Sequence, residues 1–162
     1  MTAIELAVKM ETDAIKFYQE ASEKMQYPVG KKMFLSVVED EKRHLEMLQS
    51  VLRGLDLDLK ERANPIRTVK TVFEQMKDKM MDRVAASTDE MEAFRVAMDM
   101  EKEGADMYGK AASETSSDKE KTLFERLQYE EERHFDIFSN TYSFMKDTGN
   151  WFMWEEHGIV EG

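Results

Sequence analysis

Two short stretches decide the fold: Glu39-Asp-Glu-Lys-Arg-His44 and, ninety positions further on, Glu130-Glu-Glu-Arg-His134. Each contains a Glu-x-x-His, Glu41 with His44 and Glu131 with His134. A spacing of three puts the two side chains of a pair on one face of a helix. That face is the apolar one: Phe34, Val37, Val38, Leu45 and Leu48 recur around the first pair, and Phe124, Leu127, Phe135 and Phe138 around the second. A carboxylate and an imidazole turned into a core are costly to bury without partners, yet together they are good ligands for a divalent transition metal.

One Glu-x-x-His on a charged helix says little, because such a pair usually lies in solvent. Duplication changes its weight. Displacing the chain on itself by ninety residues superposes Ala7 on Ala97, Met10 on Met100, Glu11 on Glu101, Tyr18 on Tyr108 and Ala21 on Ala111. It continues without a gap through Lys31 and Lys121, Phe34 and Phe124, and Arg43 and Arg133. Two helical hairpins on one plan follow. Each supplies a lone glutamate from its first helix, Glu11 or Glu101, and a Glu-x-x-His from its second. This is the ligand set of a dinuclear carboxylate site in a four-helix bundle. Four buried carboxylates repel one another if bare, and two divalent cations cancel their formal charge.

Composition agrees with an all-α chain. There are 162 residues, 41% of them hydrophobic, enough for a single domain with its own core over 1–162. Only two prolines and seven glycines interrupt a chain rich in Glu, Lys, Met and Ala, which favours helix over sheet. A net charge of −11 repels phosphate backbones and anionic lipid, so neither nucleic acid nor membrane is an expected partner. No apolar run reaches bilayer length and no basic, apolar leader opens the sequence, which makes a cytoplasmic location the expectation. With no cysteine in the chain, any metal must be held by Glu, Asp and His.

Thr2-Ala-Ile-Glu5 has the form of a capping box, and Ile4, Ala7, Val8, Glu11, Ala14, Ile15 and Tyr18 follow at helical spacing. Tyr27-Pro-Val-Gly30 ends that helix, and a second runs to Gly54. Ser87-Thr-Asp-Glu90 and Ser117-Asp-Lys-Glu120 open a third and a fourth. The hairpins are therefore expected at 3–54 and 88–140. Between them, 55–86 must be a long crossover, partly helical after Asn64-Pro65, and 141–162 an aromatic tail containing Trp151, Trp154 and a surface His157. That tail suits packing on the bundle or on a second subunit, and a homodimer is expected.

Tyr18 and Tyr108 are candidate catalytic residues. They lie two turns beyond Glu11 and Glu101 on the same faces, placed to hydrogen-bond a site carboxylate or pass an electron, or simply to fill the core with the hydroxyl satisfied. Glu39, Asp40, Glu130 and Glu132 flank the motifs at registers that read as a solvated face.

Met10-Glu-Thr-Asp-Ala-Ile-Lys-Phe-Tyr18, Glu39 to His44, Met100-Glu-Lys-Glu-Gly-Ala-Asp-Met-Tyr108 and Glu130 to His134 resemble the four ligand helices of the rubrerythrin branch of ferritin-like proteins. The resemblance implies a ferritin-like four-helix bundle with two irons. In it Glu11 and Glu101 would be terminal ligands, Glu41 and Glu131 would bridge, and His44 and His134 would each cap one iron. It further implies an oxidoreductase that reduces hydrogen peroxide or dioxygen. Manganese or zinc would suit the same donors. A ferroxidase that handles iron, or a bundle serving only as a scaffold, are the alternatives. Two departures stand out. A cysteine-free chain has no rubredoxin-like iron ligands, so an external electron donor is needed, and Gly104 occupies a position where many rubrerythrins carry a further glutamate.

Overall fold

The computed structural model describes residues 2–26, 28–54 and 88–146. They form four helices: α1 (Ala3–Lys24), α2 (Pro28–Leu52), α3 (Thr88–Glu114) and α4 (Asp118–Lys146), with no strand among the described residues. The expected crossover, the Ser87 cap and the tail residues from 147 onward, His157 included, lie outside them. No described helix is long and apolar enough to cross a membrane.

Local chemistry sets the helix ends. Thr2 Oγ1 accepts the Glu5 N–H at 3.1 Å and Ser117 Oγ accepts that of Glu120 at 3.2 Å, each satisfying one of the unpaired donors of a first turn. The helix α2 begins at Pro28, earlier than the motif at 27–30 suggests; a proline in the first turn lacks only an N–H that would have had no partner. Glu90 on α3 accepts the Gln26 N–H at 2.5 Å, tying the α1–α2 link to the other hairpin. Gly54 takes a left-handed φ of 72° just past α2, a conformation glycine adopts without a Cβ clash. One boundary differs: α4 does not end near 140 but continues to Lys146, because Thr141, Phe144 and Met145 extend its buried stripe.

The helices pair as α1 with α2 and α3 with α4, and the hairpins meet along α1–α3 and α2–α4. This is the ferritin-like four-helix bundle, two repeated hairpins face to face. The core is split into two apolar clusters. One gathers Tyr18, Phe34, Phe94 and Phe138. Its Phe34 ring lies 5.0 Å from Phe94 and 5.2 Å from Phe138, contacts worth about 0.5–1.5 kcal/mol each beyond the area they bury. The other gathers Ile4, Leu48, Tyr108, Phe124 and Leu127. Between these dry layers lies the level of residues 11, 41, 44, 101, 131 and 134, so an ionisable cluster there is cut off from water at both ends of the bundle.

Candidate metal centre

All six side chains singled out from the repeat converge. Glu11, Glu41, Glu101 and Glu131 are 1–3% exposed and both histidines are wholly buried. They form two overlapping groups, Glu11, Glu41, His44 and Glu131 on one side and Glu41, Glu101, Glu131 and His134 on the other. In each group the candidate donor atoms lie within 4.8 Å of one another. Glu41 and Glu131 belong to both. The imidazole rings face each other at 6.0 Å with planes 23° apart.

The unsatisfied atoms show what the cluster suits. Glu11 Oε2, Glu41 Oε1, Glu101 Oε2, Glu131 Oε1, His44 Nδ1 and His134 Nδ1 are buried without a hydrogen-bond partner, one atom on each of the six residues. Orphaned polar atoms in a core are expensive, and six directed at one another fit metal coordination in place of the missing hydrogen bonds.

The outer edges of the ligands are held from the opposite hairpin. The Tyr18 hydroxyl donates to Glu101 Oε1 at 2.7 Å and the Tyr108 hydroxyl to Glu11 Oε1 at 2.5 Å. The tyrosines thus bond carboxylates as anticipated, but across the bundle and not on their own helix. His44 Nε2 lies 3.1 Å from Glu130 Oε1 and His134 Nε2 lies 2.8 Å from Asp40 Oδ2. With each Nε2–H donated outward, each Nδ1 is free to present a lone pair inward.

Asp40 and Glu130 therefore correct the reading of the motif flanks. They are not on a solvated face: both are buried, whereas Glu39 and Glu132 are exposed as expected. Arg43 makes their burial tolerable, pairing with Asp40 at 2.5 Å and with Glu130 at 3.7 Å, and Arg126 adds a contact to Glu130 at 3.0 Å. Being one residue from a ligand turns them about 100° around their own helix, which on α2 and α4 points them at the neighbouring helix. Their repeat relationship, acid at 40 and acid at 130, was the available signal.

Without metal, the cluster resolves its charge by holding protons. Burial first, then the charges of Glu11 and Glu101, push Glu41 well above the usual carboxylate range, and burial with Glu101 and Glu41 does the same to Glu131. Burial alone would lower both histidines, but the surrounding carboxylates drive them well up, Glu41 foremost for His44 and Glu101 for His134. Glu11 goes the other way: burial raises it, yet the close approach of Glu41 and His44, the His44 charge and the Tyr108 hydroxyl bring it to about 2. Tyr18 and Tyr108 are raised by burial and by the nearby carboxylates, so they remain O–H donors at neutral pH.

A bundle with two overlapping carboxylate and histidine groups between its hairpins has the form of a ferritin-like carboxylate protein with a candidate dinuclear metal site. The comparison with protein families narrows this: the family model described as Rubrerythrin matches residues 3–142, and the chain belongs to that family. No curated protein and no solved structure matches the chain significantly.

Proposed function

We propose that the chain is an oxidoreductase that reduces hydrogen peroxide, or dioxygen, at a dinuclear iron centre. Glu11 and Glu101 would be terminal ligands, Glu41 and Glu131 shared ligands, and His44 and His134 one cap each. The observation that carries this reading is the set of six buried, unpartnered donor atoms, one per residue. Iron held by these six residues would supply the redox chemistry for reducing an O–O bond, with two protons and two electrons per peroxide, the electrons coming from an external donor.

The protein's own groups do the rest. The two tyrosines hold one oxygen of Glu11 and of Glu101 and leave the other directed inward. Asp40 and Glu130 fix the imidazole planes, which sets Nδ1 as the donor atom. The apolar layers close the cluster off from water at both ends of the bundle, which strengthens the electrostatic interactions inside it.

Anaerobic reconstitution with Fe2+, followed by separate mixing with H2O2 and with O2, tests the proposal. About two irons per chain are expected, with faster oxidation by peroxide and restoration by an added reductant. Oxidation by dioxygen alone, with iron accumulating well beyond that ratio, would instead make the chain an iron-handling protein. Failure to take up metal would leave a scaffold.

A further inference from the structure

The four inward carboxylates line a cavity of about 210 Å³ between α1 and α3. Asp13 and Glu103, both exposed, also line it, so it reaches the surface. The opposite side of the cluster is closed by the imidazoles, whose Nε2 atoms are tied to Asp40 and Glu130, with Arg43 and Arg126 bound beyond them. Among the described residues, the carboxylates are approached from the α1–α3 side.

Met10 and Met100, half-buried and related by the ninety-residue repeat as Asp13 and Glu103 are, also line this cavity. The terminal methyl of Met10 reaches across to α3: it would lie 3.4 Å from a Cβ placed on Gly104, the same distance as Glu131 Oε2. The Met10 methyl and the Glu131 carboxylate thus both border the space beside Gly104. The absence of a side chain at 104 makes room for both groups.

Methionine is unbranched, turns about three bonds and coordinates hard cations poorly. A pair of them obstructs a passage without retaining what moves through it. At about 30 Å³ per water, the cavity holds a handful of waters, so what reaches the carboxylates is decided by the side chains that line the passage and not by its volume.

We propose that the α1–α3 cleft is the route by which divalent cations and oxidants reach the carboxylates, and that Met10 and Met100 are its gate, restricting passage to species about the size of hydrogen peroxide. The oxidant half rests on the function proposed above; the cation half does not depend on redox chemistry.

The test follows Co2+ uptake by the metal-free full-length chain, read by stopped-flow visible absorption. Met10→Phe with Met100→Phe should slow loading by about tenfold, as a narrowed gate does, and leave the final amount bound unchanged. Met10→Ala with Met100→Ala should speed loading. In the ferrous protein the alanine pair should also admit cumene hydroperoxide at a rate approaching that of H2O2, whereas the unsubstituted chain should strongly prefer H2O2. If the phenylalanine pair does not fold, the alanine pair decides alone. Loading at the unsubstituted rate in every folded variant would overturn the gate. A chain that loads Co2+ normally but whose ferrous form ignores both peroxides and dioxygen defeats the proposed function, and the loading rates still decide the gate.

Discussion

The Nε2 atom of His134 lies 2.8 Å from Oδ2 of Asp40, a residue of the other hairpin that is itself bound by Arg43. The equivalent link joins His44 to Glu130. Each histidine is therefore oriented by the half of the chain to which it does not belong. Asp40→Ala should weaken metal binding roughly tenfold to a hundredfold, read by competition against a chelator of known affinity. Glu39→Gln, one position away but exposed, should leave affinity unchanged. Equal effects from the two would mean that Asp40 does not orient His134.

Glu41 is common to both donor groups, whereas Glu101 belongs to one. Glu41→Ala should therefore abolish tight binding of both metals, and Glu101→Ala should spare one of the two, as metal analysis after gel filtration can distinguish. Identical stoichiometry in the two variants would contradict a shared role for Glu41.

Removing the Tyr18 hydroxyl leaves Glu101 Oε1 buried without its donor, a loss on the order of 1–3 kcal/mol. Tyr18→Phe should lower the melting temperature of the metal-free chain, and Tyr108→Phe should do the same through Glu11. Both should still bind two metals, because neither hydroxyl is a candidate ligand. Loss of a metal in either variant would assign its tyrosine a direct coordinating role.

Protonation gives a signed pH dependence. Glu41, Glu131, His44 and His134 have folded values above their unfolded ones. Their contribution to stability is complete below the unfolded values and is lost as pH rises through the folded ones. Glu11, held at about 2, contributes above its unfolded value and loses that only in strong acid. The metal-free chain should therefore melt at a lower temperature at pH 9 than at pH 6.5. Metal binding must displace the protons, so affinity should rise with pH, with proton release visible by calorimetry in buffers of different ionisation enthalpy. Metal uptake without proton release would exclude the protonated cluster.

Gly104→Ala would place a methyl 3.4 Å from Glu131 Oε2 and from the Met10 methyl, at the edge of ordinary contact. Relief of glycine's helix penalty, about 1 kcal/mol, should then dominate. A modest rise in melting temperature with unchanged metal content is expected; loss of metal would show that Glu131 needs the space.

The six inward residues were legible in sequence because ionisable groups interrupted apolar stripes at matching registers in both repeats. The bundle was legible for the same reason, as two copies of an amphipathic hairpin can bury their stripes only on each other. Asp40 and Glu130 were not. Helical periodicity describes a residue relative to its own axis, and these two are buried by the adjacent helix and neutralised by Arg43 and Arg126, relations between helices that periodicity does not encode. The end of α4 was missed because Thr141 continues the buried stripe as a polar residue, its hydroxyl satisfied by the Ile137 carbonyl.

The exchange of tyrosine and histidine partners between hairpins also bears on assembly. A single ninety-residue unit would hold a histidine with no acid to orient it, a tyrosine with no carboxylate to meet, three of the four donors of one group and one of the four donors of the other. Such a unit completes itself only against a second copy, so the chain is in effect a two-fold dimer written as one polypeptide. Covalent linkage makes that encounter intramolecular, at an effective concentration far above any cellular one. Cutting the crossover would then make reassociation of the halves depend on metal.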